Sequence, residues 1–344
     1  NEILIYTGTH PVGTTPNGRA AISLFPFDDT DNNGGVYILA ICATGATDPS
    51  QCKYDAFRIK NGDPDDPTPQ FPLAHGGKYY DANVNGQWDG GEVGIASWQI
   101  DYHDMISGTI ETGPNGLFTL ELIPDTYLFV EKQSISGTWM QTGNTVDQTS
   151  TTGGATATLN GDMTYTITVD DDQTVAGLFF GNVCLGAGGG KTIGFWSNKN
   201  GQALIDSGDL YALRGLHLRN VNGSDFDPVS AKGYRTWVLS ATAVNMAYML
   251  SAQLSATVLN VRNNLVEDDA IVYAPGTNSG NALGFTTIAE LIAEANTALA
   301  GSGVVLSDSP VRAYQEALKN ALDAANNNWN FVQAGQATCA TPAF

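Results

Sequence analysis

The sequence predicts a multi-domain β + α protein, with antiparallel β-sandwich modules followed by an α-helical C-terminal domain. Three observations carry this. At 344 residues the chain is long enough for two or three domains, each with its own core. Before about Lys191 apolar and polar residues alternate with a period of two, and Gly/Asx-rich turns separate the runs. After Lys191 the period changes to 3.6 and helix-start signals appear. The expected division is 1–75, 76–184 and 185–344.

The first region opens on Asn1-Glu2-Ile3-Leu4-Ile5-Tyr6-Thr7, an apolar strand. Ile3 and Ile5 point one way and Leu4 and Tyr6 the other, so both faces need burial. The connector from Gly8 to Gly18 is long enough to let this strand (1–8) complete its own sheet or be donated to a neighbouring subunit; both readings stand. Strands are expected over Ala20–Phe27 and Gly35–Cys42, around a polar turn at 28–34. In that turn Asp29, Asp31, Asn33 and Gly34 copy half a calcium loop. Ala40 stands where the closing carboxylate belongs, so a hairpin turn is expected. An acidic, proline-rich linker follows over 61–75.

Residues 81–92 read Asp-Ala-Asn-Val-Asn-Gly-Gln-Trp-Asp-Gly-Gly-Glu. Asp81, Asn83 and Asn85 place side-chain oxygens at positions 1, 3 and 5, and Gly86 makes the sharp turn at position 6. The carbonyl of Gln87, the carboxylate of Asp89 and a bidentate Glu92 complete a Ca2+ loop. The flanks, Gly77–Tyr80 and Ile95–Tyr102, favour strands rather than helices, so the ion is expected to stiffen a module and not to switch one. With three formal carboxylates the affinity should fall in the weak extracellular range, about 10⁻⁴ to 10⁻³ M. Alternation over Leu117–Leu122, Thr164–Val169 and Ala176–Phe180 fits an immunoglobulin-like sandwich. The polar stretch 143–161 reads as a solvated loop.

Tyr80 to Asn83, Glu92 to Ala96, Thr112 to Phe118 and Leu122 to Glu131 together resemble the calcium-binding B domains of bacterial serine–aspartate-repeat adhesins. These are relatives of the prealbumin-like collagen-adhesin B-type modules. The resemblance covers about residues 76 to 184. It implies a β-sandwich that binds Ca2+. Relatives in the collagen-adhesin branch often join a first-strand Lys to a last-strand Asn beside a catalytic carboxylate. By strand position Lys78, Asn182 and Glu131 hold those roles. Lys78, however, lies three residues before Asp81 where bonded relatives usually keep two, which would turn its side chain to the other side of the sheet. The calcium-loop subgroup also generally lacks the bond. The expectation is therefore a surface Lys and an edge Asn, with the isopeptide bond as the lesser alternative.

Four cysteines allow three pairings. The economical one joins Cys42 to Cys52 across a short loop and Cys184 to Cys339 across the helical region, and it favours an oxidising compartment. In that helical region, Asp227-Pro228 reads as a helix start. Thr287–Glu290 forms a capping box with Gly301 at the far end, and Ser309-Pro310 starts a third helix with Val311, Tyr314, Leu318, Ala321 and Leu322 on one stripe. The apolar stretch Trp237–Val261 is interrupted by Thr242, Asn245 and Ser251, so a buried core helix is expected and not a membrane span. Gly188-Gly189-Gly190-Lys191-Thr192 imitates a phosphate loop, but Leu185 replaces its first glycine, and Ile193–Trp196 reads as a packed turn.

A net charge of −20 with few Lys and Arg excludes nucleic acid as a partner. The four histidines are scattered, and no nucleophile–base motif accompanies them, so no enzyme is expected. The expected function is an extracellular, secreted or cell-surface structural protein: a homopolymer of identical subunits in a fibre or layer, linked through Ile3, Leu4, Ile5 and Tyr6 and stiffened by Ca2+. The alternative is a monomeric adhesin or carbohydrate-binding protein using Trp88, Trp98, Tyr102 and Trp139. Asn222-Gly223-Ser224 is the single glycosylation sequon.

Overall fold

The computed structural model describes residues 35–42, 52–59, 71–104, 107–143 and 146–344, the first two stretches by their backbone alone. The chain divides into two compact units, Asn1–Pro69 and Gln70–Phe344. In the first, β1 (Gly35–Cys42) pairs antiparallel with β2 (Cys52–Ile59), and the register sets Cys42 directly opposite Cys52. The strand at 1–8 with Ile3, Leu4, Ile5 and Tyr6, the strand at 20–27 and the turn at 28–34 lie outside the described residues. The linker expected to reach residue 75 ends sooner, because β3 (Leu73–Tyr80) already begins at Leu73.

In the second unit, β4 (Gln99–His103), β5 (Gly108–Glu111), β7 (Asp125–Glu131), β10 (Thr156–Leu159) and β11 (Tyr165–Val169) form a five-stranded antiparallel sheet ordered β10-β11-β7-β4-β5. The other sheet centres on β3, flanked by β6 (Leu117–Glu121) and β12 (Thr174–Gly186). The alternating stretches recognised in the sequence become β6, β11 and β12. The inner faces meet through aromatic pairs: Phe118 lies 6.2 Å from Phe129 and Tyr165 lies 5.4 Å from Phe180, centroid to centroid. The stretch read as a loop over 143–161 contributes two short strands instead, β9 (Ser150–Thr152) on β12 and β10 on β11. Thr-rich segments suit strand edges, which explains the difference. β8 (Trp139–Gln141) also pairs with β12.

β3 and β12 run parallel, with Lys78 opposite Phe180 and Tyr80 opposite Asn182. Parallel neighbours require a long crossover, here everything between them. β12 then continues past the two-sheet region. Its last residues, Leu185 and Gly186, pair with β15 (Phe331–Val332), which leads on to β13 (Ile271–Tyr273) and β14 (Phe285–Thr287). One strand thus serves both regions, and the contacts draw no boundary between 184 and 185.

Seven helices fill the rest of the described chain: α1 (Ile193–Ser197), α2 (Lys199–Leu204), α3 (Ser207–Arg214), α4 (Ala231–Leu239), α5 (Met246–Arg262), α6 (Ile288–Gly301) and α7 (Arg312–Asn326). α5 is buried on nearly every side, as its unbroken apolar run requires. The stretch Trp237–Val261 is not one helix, however. It breaks between Leu239 and Met246, where the Asn245 side chain caps α5 by accepting from Ala247 N. The capping box Thr287/Glu290 forms as expected, but Gly301 is the last helical residue and Ser302 the cap. α4 begins at Ala231 under a Ser230 cap, three residues beyond Asp227-Pro228. α7 begins at Arg312, which leaves Val311 outside the helix; Leu318, Ala321 and Leu322 are buried as the stripe predicts, and Tyr314 is half-buried. Among the described residues no helix is long and apolar enough to cross a membrane.

Candidate functional site

Three polar side chains meet in the core between the sheets. Lys78 from β3, Glu131 from the end of β7 and Asn182 from β12 are 0%, 5% and 1% exposed. The Lys78 Nζ donates to Glu131 Oε2 at 2.6 Å and to Asn182 Oδ1 at 2.5 Å. Asn182 Nδ2 donates to Glu131 Oε1 at 2.7 Å, which closes the triangle.

The sequence expectation of a surface Lys78 and an edge Asn182 is therefore corrected. The spacing to Asp81 bears only on which face of the strand Lys78 takes, and exposure does not follow from the face. β3 is moreover covered on both faces. Lys78 faces β7, while Tyr79 stacks on Trp88 of the following loop at 5.4 Å. Asn182 lies on a strand flanked by β3 on one side and β8 on the other, not at a sheet edge.

Burying an ammonium and a carboxylate is expensive, and each group responds by favouring its neutral form. Desolvation lowers the Lys78 pKa to about 8, against the opposing charge of Glu131. Desolvation raises the Glu131 carboxyl, against the charge and hydrogen bond of Lys78 and the hydrogen bond of Asn182. Both shifts run toward the neutral forms, and a proton passed from the nitrogen to the carboxylate would leave a neutral amine in contact with a carboxamide.

Aromatic rings wall this chamber. The Trp98 ring centroid lies 4.4 Å from Lys78 Nζ, and its indole Nε1 donates to the Lys132 carbonyl. Trp139 meets Trp98 edge-on at 5.2 Å, and Phe344 meets it at 5.4 Å. The sequence reading placed Trp98 and Trp139 among exposed sugar-stacking rings. Trp98 is instead fully buried, and Trp88, Tyr102 and Trp139 are half-buried against protein rings. Period-two alternation held the signal, since it sets Trp98 on the same side as Ile100, an evident core residue.

The loop 81–92 folds tightly beside this site. The Asp81 carboxylate accepts from Asn85 N at 3.0 Å and Gly86 N at 2.9 Å, and Gly86 takes the positive φ of 76° that position 6 demands. Glu92 reaches back to accept from Ala82 N at 2.9 Å and Asp89 N at 3.1 Å, joining position 12 to the start. Asn85 Oδ1 accepts from Gln87 N at 2.7 Å. The Nδ2 groups of Asn83 and Asn85 both donate to Asp89 Oδ2, at 2.9 and 2.6 Å, and hold that carboxyl below its usual range. Burial raises Asp81, and burial together with the neighbouring Asp81 charge raises Glu92. Among the described residues no three His, Cys, Asp or Glu side chains converge closely enough to hold a metal. The donor chemistry, all oxygen with three carboxylates, nevertheless suits a hard cation once the two carboxamides turn their oxygens inward.

Cys184 and Cys339 are joined in a disulfide that spans 155 positions. The glycine run 188–190 holds no phosphate cradle. Gly188 N donates to Asn328 Oδ1, Lys191 N donates to Asn260 Oδ1, and a Cβ at Gly190 would sit 2.2 Å from the Ala325 carbonyl. A helix does follow, α1 capped by Thr192, where a packed turn was expected. Asn222 of the sequon is exposed. No family model and no curated protein matches this chain.

Proposed function

We propose that the second unit carries an immunoglobulin/prealbumin-like sandwich that cross-links itself through an amide bond between Lys78 and Asn182, and that the protein is an extracellular structural subunit. The observation that carries this reading is the buried, closed triangle of Lys78, Glu131 and Asn182. A nucleophile, a carboxyl group and an acyl donor in mutual contact, held away from water, are the parts an amide exchange needs.

Neutral Lys78 Nζ attacks Asn182 Cγ. A new C–N bond forms, the Cγ–Nδ2 bond breaks, and one ammonia leaves. Glu131 touches the attacking nitrogen through Oε2 and the leaving nitrogen through Oε1, so it takes a proton from the first and gives it to the second. No oxidant, metal or second substrate enters the balance. The reaction happens once per chain, which suits assembly and rigidity and not turnover.

Residues Asp81, Asn83, Asn85, Gln87, Asp89 and Glu92 would hold a Ca2+ that locks the turn leaving β3. The acidic surface, the Cys184–Cys339 disulfide and an oxidising compartment fit a secreted or cell-surface location. Polymerisation through residues 1–8 of a neighbouring subunit remains the proposed mode of assembly.

Intact-mass measurement under denaturing, reducing conditions tests the cross-link. The native chain should be lighter than its sequence by one ammonia, and Glu131→Ala should restore the full mass. An unshifted native mass would reject it. Electron microscopy of the chain with and without residues 1–8 tests the assembly. Filaments that vanish on truncation support it, and single particles in both samples reject it.

A further inference from the structure

Asn182 and Cys184 are separated by a single residue on β12, and both are buried. Each carries one end of a long-range connection. Asn182 touches Lys78, close to where the unit begins at Gln70, and Cys184 is bonded to Cys339, close to Phe344. The segment beyond Cys339 does not stay with the helices. It lies against the two-sheet region: Ile135 N donates to the Ala343 carbonyl at 2.8 Å, Trp139 Nε1 donates to the Ala340 carbonyl at 2.9 Å, and the Phe344 ring packs on Trp98. The helical region meanwhile has a core of its own, built from residues 196 onward around α5, α6 and α7.

We propose that the Lys78–Asn182 amide and the Cys184–Cys339 disulfide act in series as one covalent spine, and that tension applied across the unit bypasses both 79–181 and 185–338. The first half rests on the amide proposed above, and the second on the disulfide alone. Force entering at residue 70 reaches Lys78, crosses to Asn182, passes Val183 to Cys184, crosses to Cys339 and leaves through 340–344. A cross-link between two positions removes everything between them from the stretched contour. The sandwich thus bears load through a few short segments. The helical region hangs from that line as a closed loop, free to unfold, refold or carry a ligand without lengthening the molecule. This gives the two regions different mechanical duties: one transmits tension, and the other is displayed beside it.

Single-molecule stretching of the full chain, tethered at both termini, reads this directly as contour length. The oxidised native chain should show neither of the two long extensions. A thiol reductant should add a gain on the order of 50 nm, the reach of the freed residues 185–338. Oxidised Lys78→Met should instead add a gain on the order of 35 nm, the reach of 79–181. If the oxidised native chain already shows the shorter gain, the amide has failed and the spine with it. If reduction adds no long gain while the native chain lacks the shorter one, the amide stands and the series arrangement is overturned. Because the reductant acts on the folded native protein, a variant that fails to fold does not obscure the outcome.

Discussion

The two-sheet region and the helical region both bury polar side chains, with opposite consequences. Around α5 one buried network is built from neutral side chains. Asn260 accepts from Lys191 N and Trp196 Nε1, and donates to the Lys191 carbonyl and to Asn326 Oδ1. Asn326 in turn donates to the carbonyl and Oε1 of Gln253 and accepts from Thr257. That network pins the loop before α1 to α5 and α7, and at its rim Gln253 Nε2 donates to Asp323 Oδ1. Between the sheets the buried set is Lys78, Glu131 and Asn182, whose contacts join a nucleophile to an acyl group through a carboxyl. Buried hydrogen bonds specify a structure in both places. Only the second set brings an amine, a carboxyl and a carboxamide into mutual contact, as the proposed cross-link requires.

The comparison breaks most sharply at Glu131. Glu131→Ala should leave the mass unshifted and strand a buried ammonium, a loss of about 3–5 kcal/mol before the missing cross-link is counted. Denaturant unfolding of variant against native protein measures it.

The pH response sharpens the contrast next. Asn182→Ala keeps the Lys78–Glu131 pair but removes the acyl donor. Lys78 has a folded pKa of about 8, below the unfolded 10.5. Between those values the unfolded chain holds a proton that the folded chain has lost, so stability rises with pH across that window, by up to about 3 kcal/mol. In the native chain an amide nitrogen does not titrate, and melting temperatures from pH 8 to 10.5 should lack that contribution. A matching rise in both proteins would show that Lys78 is free.

Asn326→Ala is the counterpart in the helical region. It unpairs neutral groups only and should cost about 1–3 kcal/mol in denaturant unfolding, with the ammonia loss intact. The smallest effect belongs to the loop. At 1 mM Ca2+ the melting temperature should rise by the equivalent of about 0.4–1.4 kcal/mol. Glu92→Ala should abolish that rise and in chelator cost only the two hydrogen bonds it accepts from Ala82 N and Asp89 N, whereas a Ca2+-dependent rise that survives in the variant would sink the calcium reading.

Much of the two-sheet region was legible because β6 and β11 alternate over Leu117–Leu122 and Thr164–Val169; β12 was found as a strand at Ala176–Phe180 although its alternation breaks at a register shift between Val175 and Leu178. The capping box of α6 was legible because a Thr and a Glu three residues apart are a local signal. Longer-range features were harder to read. Residues 78, 131 and 182 are named by strand position, but whether they touch depends on both faces of β3 being covered, a tertiary fact. The continuation of β12 into the helical region is equally invisible, since a change of hydrophobic period at Lys191 suggests a boundary that the shared strand removes. Trp98 is different: its alternation with Ile100 pointed to burial, and its polar neighbours Ser97 and Gln99 do not decide which way its ring faces.

The most direct measurement is proteolysis of the purified, reduced protein followed by tandem mass spectrometry. A branched peptide joining Lys78 to Asn182, with trypsin failing to cleave after Lys78, is the predicted result. Recovery of linear peptides carrying a cleaved Lys78 and an unmodified Asn182 would contradict the cross-link and leave the buried triangle an ordinary ion pair.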